Sequence, residues 1–400
     1  MDSKYIDLLL ERCVDLKERK LFINYDIEVS DFVDLIIAKA KEKGIADIYL
    51  ESVDVDKECD YLQHHTVEEI YESDFFDKSI WDKYAKMGAS FLIIDTEQPH
   101  VMDNIVPEKI SAMAKRKRES RPLYRKMVEH CELPWCILAY PSKRWAKEVF
   151  PDSDNSYQEL LNAIYKVCMI DNENPVEAWD KQLAKVSRVM NRLNDLDLVK
   201  LHYKNSLGTD LEVYLPTGYR YDSAKDGKVI VNMPSYEVFM SPIYNKTNGI
   251  VYSSKPLSYS GSIVDEFWLK FKDGKVVDYD AKKGRDILKQ IIEIDDYSCY
   301  LGECALVEYD SPISNLGINF GTTLIDENAS CHLALGAGFP ECIDGGIGQS
   351  DEKLLERGIN VSKGHVDFMI GTSDMTIIGT TSDGKEIPIF INGNFSKEIV

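Results

Sequence analysis

Leu201-His202-Tyr203 and Leu211-Glu212-Val213-Tyr214-Leu215 are the strings on which the fold turns. Apolar and polar residues alternate in them. Successive side chains of a strand point to opposite faces, so alternation marks a strand with one face buried and the other wet. The strings begin near Leu198, and turn signals such as Asp273-Gly274 recur beyond it. This half therefore reads as a largely antiparallel, β-rich (α+β) domain. Upstream the character differs. Short apolar runs at residues 21–24, 47–50, 91–95 and 135–140 are separated by helical patterns, the sequence form of an α/β domain with a parallel sheet. Ser30 stands where it could cap a helix ending at Gly44, Thr66-Val67-Glu68-Glu69 has the form of a capping box, and helices from about 156 to 195 close the half. The expected division is an N-terminal α/β domain of residues 1–190 and a C-terminal domain of residues 191–400, with the boundary uncertain by about ten residues.

Composition limits what such a protein can do. The 400 residues suit two cores better than one, and 44% hydrophobic residues spread along the chain supply them. Forty-seven basic against 68 acidic residues leave a net charge of −21, which repels phosphate backbones and makes nucleic acid a poor partner. The one basic run, Lys115-Arg116-Lys117-Arg118, reads as a solvated helix face. Nine cysteines without a CxxC fit a reducing compartment, and Cys136 in Trp135-Cys136-Ile137-Leu138 reads as a small buried hydrophobe. Ile6, Leu9, Leu10, Cys13 and Leu16 recur at helical spacing behind a polar start, giving an amphipathic helix rather than a signal peptide. No stretch approaches the ~20 apolar residues of a membrane span, so no membrane partner and a cytoplasmic location are expected.

HExxH, GxSxG and Walker A motifs are absent, and the glycines of Gly345-Gly346-Ile347-Gly348 do not form GxGxxG. Chemistry must come from dispersed residues. His365-Val366-Asp367 precedes the apolar string Phe368-Met369-Ile370; on a strand its imidazole and carboxylate share a face, as a metal ligand pair or a hydrogen-bonded structural pair. Glu327 and His332 are five positions apart, about 140° around a helix, so both can bind one centre only if one of them leaves the helix. Glu237 and Glu303 sit in apolar strings where an unpaired carboxylate would be costly, and a metal ion, lysine or arginine would each relieve that cost. If Glu303 shares a face with Leu301, Ala305 and Val307, it points into the core. Together these residues offer four carboxylates and two imidazoles, enough for two divalent ions (zinc, cobalt, manganese or magnesium), a combination that activates water for hydrolysis.

The blocks Asn232-Met233-Pro234-Ser235-Tyr236-Glu237-Val238-Phe239, Gly302-Glu303, residues 326–336 and residues 360–371 resemble, in order and spacing, the thermophilic aminopeptidase T family, which includes staphylococcal aminopeptidase S. The looser blocks Trp135-Cys136-Ile137-Leu138-Ala139-Tyr140-Pro141 and Trp145-Ala146 extend the likeness to the first half. The resemblance implies metal ligation by Glu237, Glu303, Glu327, His332, His365 and Asp367, and a homodimer. It also implies a two-metal aminopeptidase that releases N-terminal residues from peptides with a free N-terminus. Glu237 or Glu303 would be the general base. One position departs from the pattern: Phe339 stands where the family commonly has a tyrosine, and a phenyl ring cannot donate a hydrogen bond, so that role would be lost or pass to another group such as Tyr236. Two rival readings follow: a metal-bound but catalytically silent peptide-binding homologue, and another two-metal amidase or esterase.

Overall fold

A computed structural model describes residues 1–15, 17, 19–130, 132–223, 225–226, 229–259 and 262–400. Leu16 of the N-terminal pattern lies outside the described residues. Two compact units emerge, Met1–Ala178 with Lys225–Pro234, and Trp179–Ala224 with Ser235–Val400. Two features separate this division from a single cut near 190. The last helix of the first half, Pro175–Asn194, runs past Ala178, and a short later segment returns to the first unit.

The first unit is the expected α/β layer structure. Its five-stranded sheet runs in the order Asp47–Val53, Lys20–Asp26, Ser90–Asp95, Trp135–Ala139 and Asn232–Met233, with every pairing in it parallel, and a separate antiparallel pair joins Lys225–Asp226 to Val229–Ile230. Parallel neighbours need crossovers, and helices such as Ser30–Glu42 and Ser79–Lys86 supply them. Phe22 and Phe91 stack at 4.7 Å on adjacent strands and meet Trp81 and Tyr124, a buried aromatic core. At the N-terminus, helix Asp2–Leu8 continues into a wider turn, Leu9–Cys13, which keeps Ile6, Leu9, Leu10 and Cys13 buried. Cys136 is fully buried, and no described cysteine forms a disulfide.

The second unit is antiparallel throughout. Nine strands, including Leu198–Lys204 and Asp210–Tyr214, form one sheet, with Asp273-Gly274 turning the hairpin of Ser262–Lys272 and Lys275–Lys283. A second sheet has four strands in the order Val238–Met240, Leu301–Leu306, His332–Gly336 and His365–Met369. Leu201, Leu211 and Val213 from the large sheet join Cys304, Leu306, Leu333, Val366 and Phe368 from the small one in a single core. One face of the small sheet is thereby buried against the large sheet. The alternate residues are left for the other face. No helix among the described residues is long and apolar enough to cross a membrane.

Candidate metal centre

The candidate site occupies that other face of the four-stranded sheet. Antiparallel register sets Glu303 opposite Ala334 and Ala334 opposite Asp367, while His332 pairs with Ala305 and Gly336 with His365. Side chains directly across a sheet share a face, so Glu303, His332, His365 and Asp367 converge. The small residues Ala305, Ala334 and Gly336 stand on the same face, Ala305 packed with Phe239, Cys342 and Phe339.

One expected contact changes. The pairing slips between Leu301 and Glu303, and this bulge turns Leu301 into the hydrophobic core while Glu303 faces the site beside Ala305. Glu303 therefore does not share its face with Leu301. Gly302 makes the slip possible, because a Cβ there would lie 2.1 Å from the Ala337 carbonyl oxygen and 2.2 Å from that of Gly336.

Two clusters result, each able to hold a cation. Glu237, Glu303 and His332 place ligand atoms within 4.8 Å of one another, and Glu303, His365 and Asp367 do the same. Glu303 is common to both. His332 Nε2 lies 3.2 Å from Glu237 Oε2, and His365 Nε2 lies 3.1 Å from both Glu303 Oε2 and Asp367 Oδ1. His365 Nδ1 is 2.8 Å from the carbonyl of Ala337, which can only accept; the proton therefore sits on Nδ1 and leaves Nε2 free to ligate when the ring is neutral. Glu327 is buried on the short helical turn Glu327–Ala329, while His332 begins a strand, so the pair escapes the helical-face conflict. Glu327 belongs to neither cluster, although its charge is felt by the others. Its neighbour Asp326 braces the preceding loop instead, its oxygens accepting from the N–H groups of Phe320 at 3.0 Å and Gly321 at 2.7 Å.

The electrostatics fit a cation. Burial and the Asp367 charge push Glu303 up to about 7, and burial with Asp367 and Glu237 raises Glu327 well above its ordinary value. Burial also opposes charge on His332, yet the Glu237 carboxylate overrides it and holds the ring at about 10. For Asp367, burial is outweighed by His365, which draws it down to about 2. Among the described residues, Glu237, Glu303 and Asp367 form their ion pairs with His332 and His365. Three carboxylates thus share two imidazoles, a fourth, Glu327, is buried beside them, and His332 Nδ1 is itself buried without a partner. Lysine and arginine, the alternative the sequence left open, take no part in these pairs; divalent cations fit this donor set.

Phe339 sits at the edge, its ring centroid 5.1 Å from that of His365 and 5.0 Å from that of Phe239. Tyr236 packs instead against Trp179 at 5.6 Å. The centre opens on the side of His365 and Asp367, whose side chains are 26% and 13% exposed, against 1% for His332 and 5% for Glu303. Gly302 and Asn328 stand in the resemblance blocks without a role assigned to them, and the small residues of this face were not singled out. Alternation of large and small in Leu333-Ala334-Leu335-Gly336 was the available signal for those small residues.

A sheet face of converging carboxylates and imidazoles, more acid than the two rings can neutralise, has the donor set of a metal-dependent enzyme. Comparison with known proteins agrees. A family model described as thermophilic metalloprotease (M29) matches residues 2–395. The chain is 37% identical over 402 residues to Aminopeptidase AmpS of Bacillus subtilis (strain 168), with 98% of each covered. It is 30% identical over 409 residues to Aminopeptidase T of Thermus aquaticus, again with 98% of each covered. The solved structure of wild-type AmpT from Thermus thermophilus matches it with a TM-score of 0.88 at 27% identity, over 98% of both chains. The chain therefore belongs to the M29 family of metalloproteases.

Proposed function

We propose that this protein is an aminopeptidase that removes N-terminal residues from peptides with the help of two divalent ions. The observation that carries the reading is that Glu303 belongs to both ligand clusters, an arrangement suited to a carboxylate shared between neighbouring ions. Glu237 and His332 would complete one ion's protein ligands, and His365 and Asp367 the other's, with Glu327 contributing from the adjoining turn. Bound there, the ions would polarise the scissile carbonyl and lower the pKa of water. Glu237 belongs to one cluster only, so one of its oxygens would be left to accept a proton, whereas Glu303 belongs to both. His365 and Asp367 border the open side, so the peptide approaches there, and the ionised Asp367 favours a cationic amino terminus. Zinc, cobalt, manganese and magnesium are the candidate ions. The same reading holds that the protein is a cytoplasmic homodimer and works as two domains divided near residue 190, the second bearing the metals.

The test is hydrolysis of aminoacyl nitroanilides by chelator-stripped protein, before and after each candidate ion is restored, with bound metal quantified. Metal-restored cleavage is expected. N-acetylated peptides cleaved as fast as free ones would instead indicate a different amidase. One observation favours a second reading: Phe339 brings a ring without a donor to within 5.1 Å of His365. Two bound metals with no turnover across the panel would identify a silent peptide binder, and Phe339→Tyr would then be the variant expected to gain activity.

A further inference from the structure

Asn328 is completely buried in the second unit and uses both ends of its amide. Its Oδ1 accepts from the backbone N–H of Tyr236 at 2.6 Å. Its Nδ2 points at Glu327 Oε1, a longer contact of 3.4 Å. The orientation is not a matter of choice. A backbone N–H can only donate, so the amide oxygen must face Tyr236, and the NH2 is left facing a carboxylate that can only accept when ionised.

Tyr236 immediately precedes Glu237, and Glu327 immediately precedes Asn328. One side chain therefore ties the strand entry that delivers Glu237 to the turn that delivers Glu327. The turn is itself pinned, because the Ala329 carbonyl accepts from Ser311 Oγ at 2.8 Å and from Ser314 Oγ at 2.6 Å. We infer that Asn328 is a positioning residue that fixes Glu237 and Glu327 relative to one another and so acts on metal binding without touching the ions. This rests on the function proposed above. Only asparagine meets the requirement in this space. Alanine leaves a buried N–H and a buried carboxylate without their partners, and aspartate keeps the acceptor for Tyr236 but replaces the donor to Glu327 with a second charge.

Asn328→Ala and Asn328→Asp would be compared with the parent for metal affinity by chelator competition, for the visible absorption of the cobalt-loaded protein, for kcat and KM separately, and for the melting temperature after metal removal. Asn328→Ala is expected to bind metal about 10–100-fold more weakly, to alter the cobalt spectrum and to lose kcat far more than KM. If the alanine variant does not fold, Asn328→Asp decides. A parent-like cobalt spectrum and affinity in a folded variant would overturn the inference. A parent that binds and cleaves while both variants match it sinks the inference alone; a parent that binds no metal sinks the proposed function and this inference with it.

Discussion

Glu303 shows what a single residue can and cannot reveal in advance. Its apolar neighbours made it a buried carboxylate in need of a cation, and it is buried at the centre of both clusters. The face of Leu301 was not readable, because period-two reasoning assumes a regular pleat and a bulge breaks it. Glu303→Gln keeps the shape and removes the charge, so bound metal should fall by more than it does in Glu237→Gln, whose larger loss should be in turnover. Equal metal content in Glu303→Gln and the parent would refute the shared-ligand role. A second expectation follows from protons. At pH 7 the metal-free His332, held at about 10, carries a proton, and Glu303, at about 7, is near half protonation. Ligation requires a neutral imidazole and an ionised carboxylate, so metal binding should expel protons, and affinity should rise with pH through this range. The sign for folding is the opposite. A raised pKa stabilises the fold below the ordinary value and loses that contribution as pH rises through the shifted one, so metal-free protein should weaken from neutral pH toward about 10. Titration calorimetry in buffers of different ionisation enthalpy reads the proton release directly; a buffer-independent heat would contradict it.

Among the elements, strands with strong apolar runs were legible and junctions were not. The expected strands of the first half appear as Lys20–Asp26, Asp47–Val53, Ser90–Asp95 and Trp135–Ala139, and the Thr66 capping box closes with Glu69 as its spacing requires. Ser30 does not cap helix Ser30–Glu42. It is the first helical residue and its hydroxyl donates to the Ile27 carbonyl, while Asp26 caps the preceding short turn. The basic run on helix Pro107–Glu119 is less solvated than expected: Arg116 pairs with Asp77 at 2.8 Å and Lys117 with Glu58 at 2.7 Å. Local pattern cannot supply partners 39 and 59 positions away. Strand Asn232–Met233 is only two residues long, too short for any periodicity to register. At this scale the bulge of strand Leu301–Leu306 gives the clearest test. A methyl at Gly302 meets backbone oxygens of the neighbouring segment, so Gly302→Ala must displace one strand against another. The expected cost is about 3 kcal/mol, the upper part of the range for overpacking. Metal content should fall with it. Gly317→Ala, at φ 64° with nothing within 4 Å, should cost about 1–2 kcal/mol through its left-handed backbone alone and leave metal content intact. Equal metal loss in both variants would mean that general destabilisation, not the bulge, governs the site.

At the scale of the molecule, the change of pattern near Leu198 separated a parallel α/β half from an antiparallel half, and both architectures are present. What pattern could not show is that the chain returns to the first unit at Lys225–Pro234 before delivering Glu237 to the second. The resemblance blocks placed six ligand candidates in order, and all six fall within one unit. That concentration has a thermodynamic consequence. A ligand that binds only the folded form stabilises the unit that holds it, by about 2.7 kcal/mol per site when its free concentration is a hundred times its Kd. Saturating metal should therefore raise the unfolding temperature of Trp179–Ala224 with Ser235–Val400. The unit of Met1–Ala178, which holds none of the six candidates, should respond only so far as its unfolding is coupled to the other. Calorimetry on chelator-stripped and metal-loaded protein, with proteolysis to assign each transition, reads this directly. An unchanged transition for the second unit at saturating metal would show that the clustered carboxylates are satisfied without a cation, and the metal centre would have to be abandoned. A shift in that transition together with unchanged cleavage would keep the centre and turn attention to Phe339.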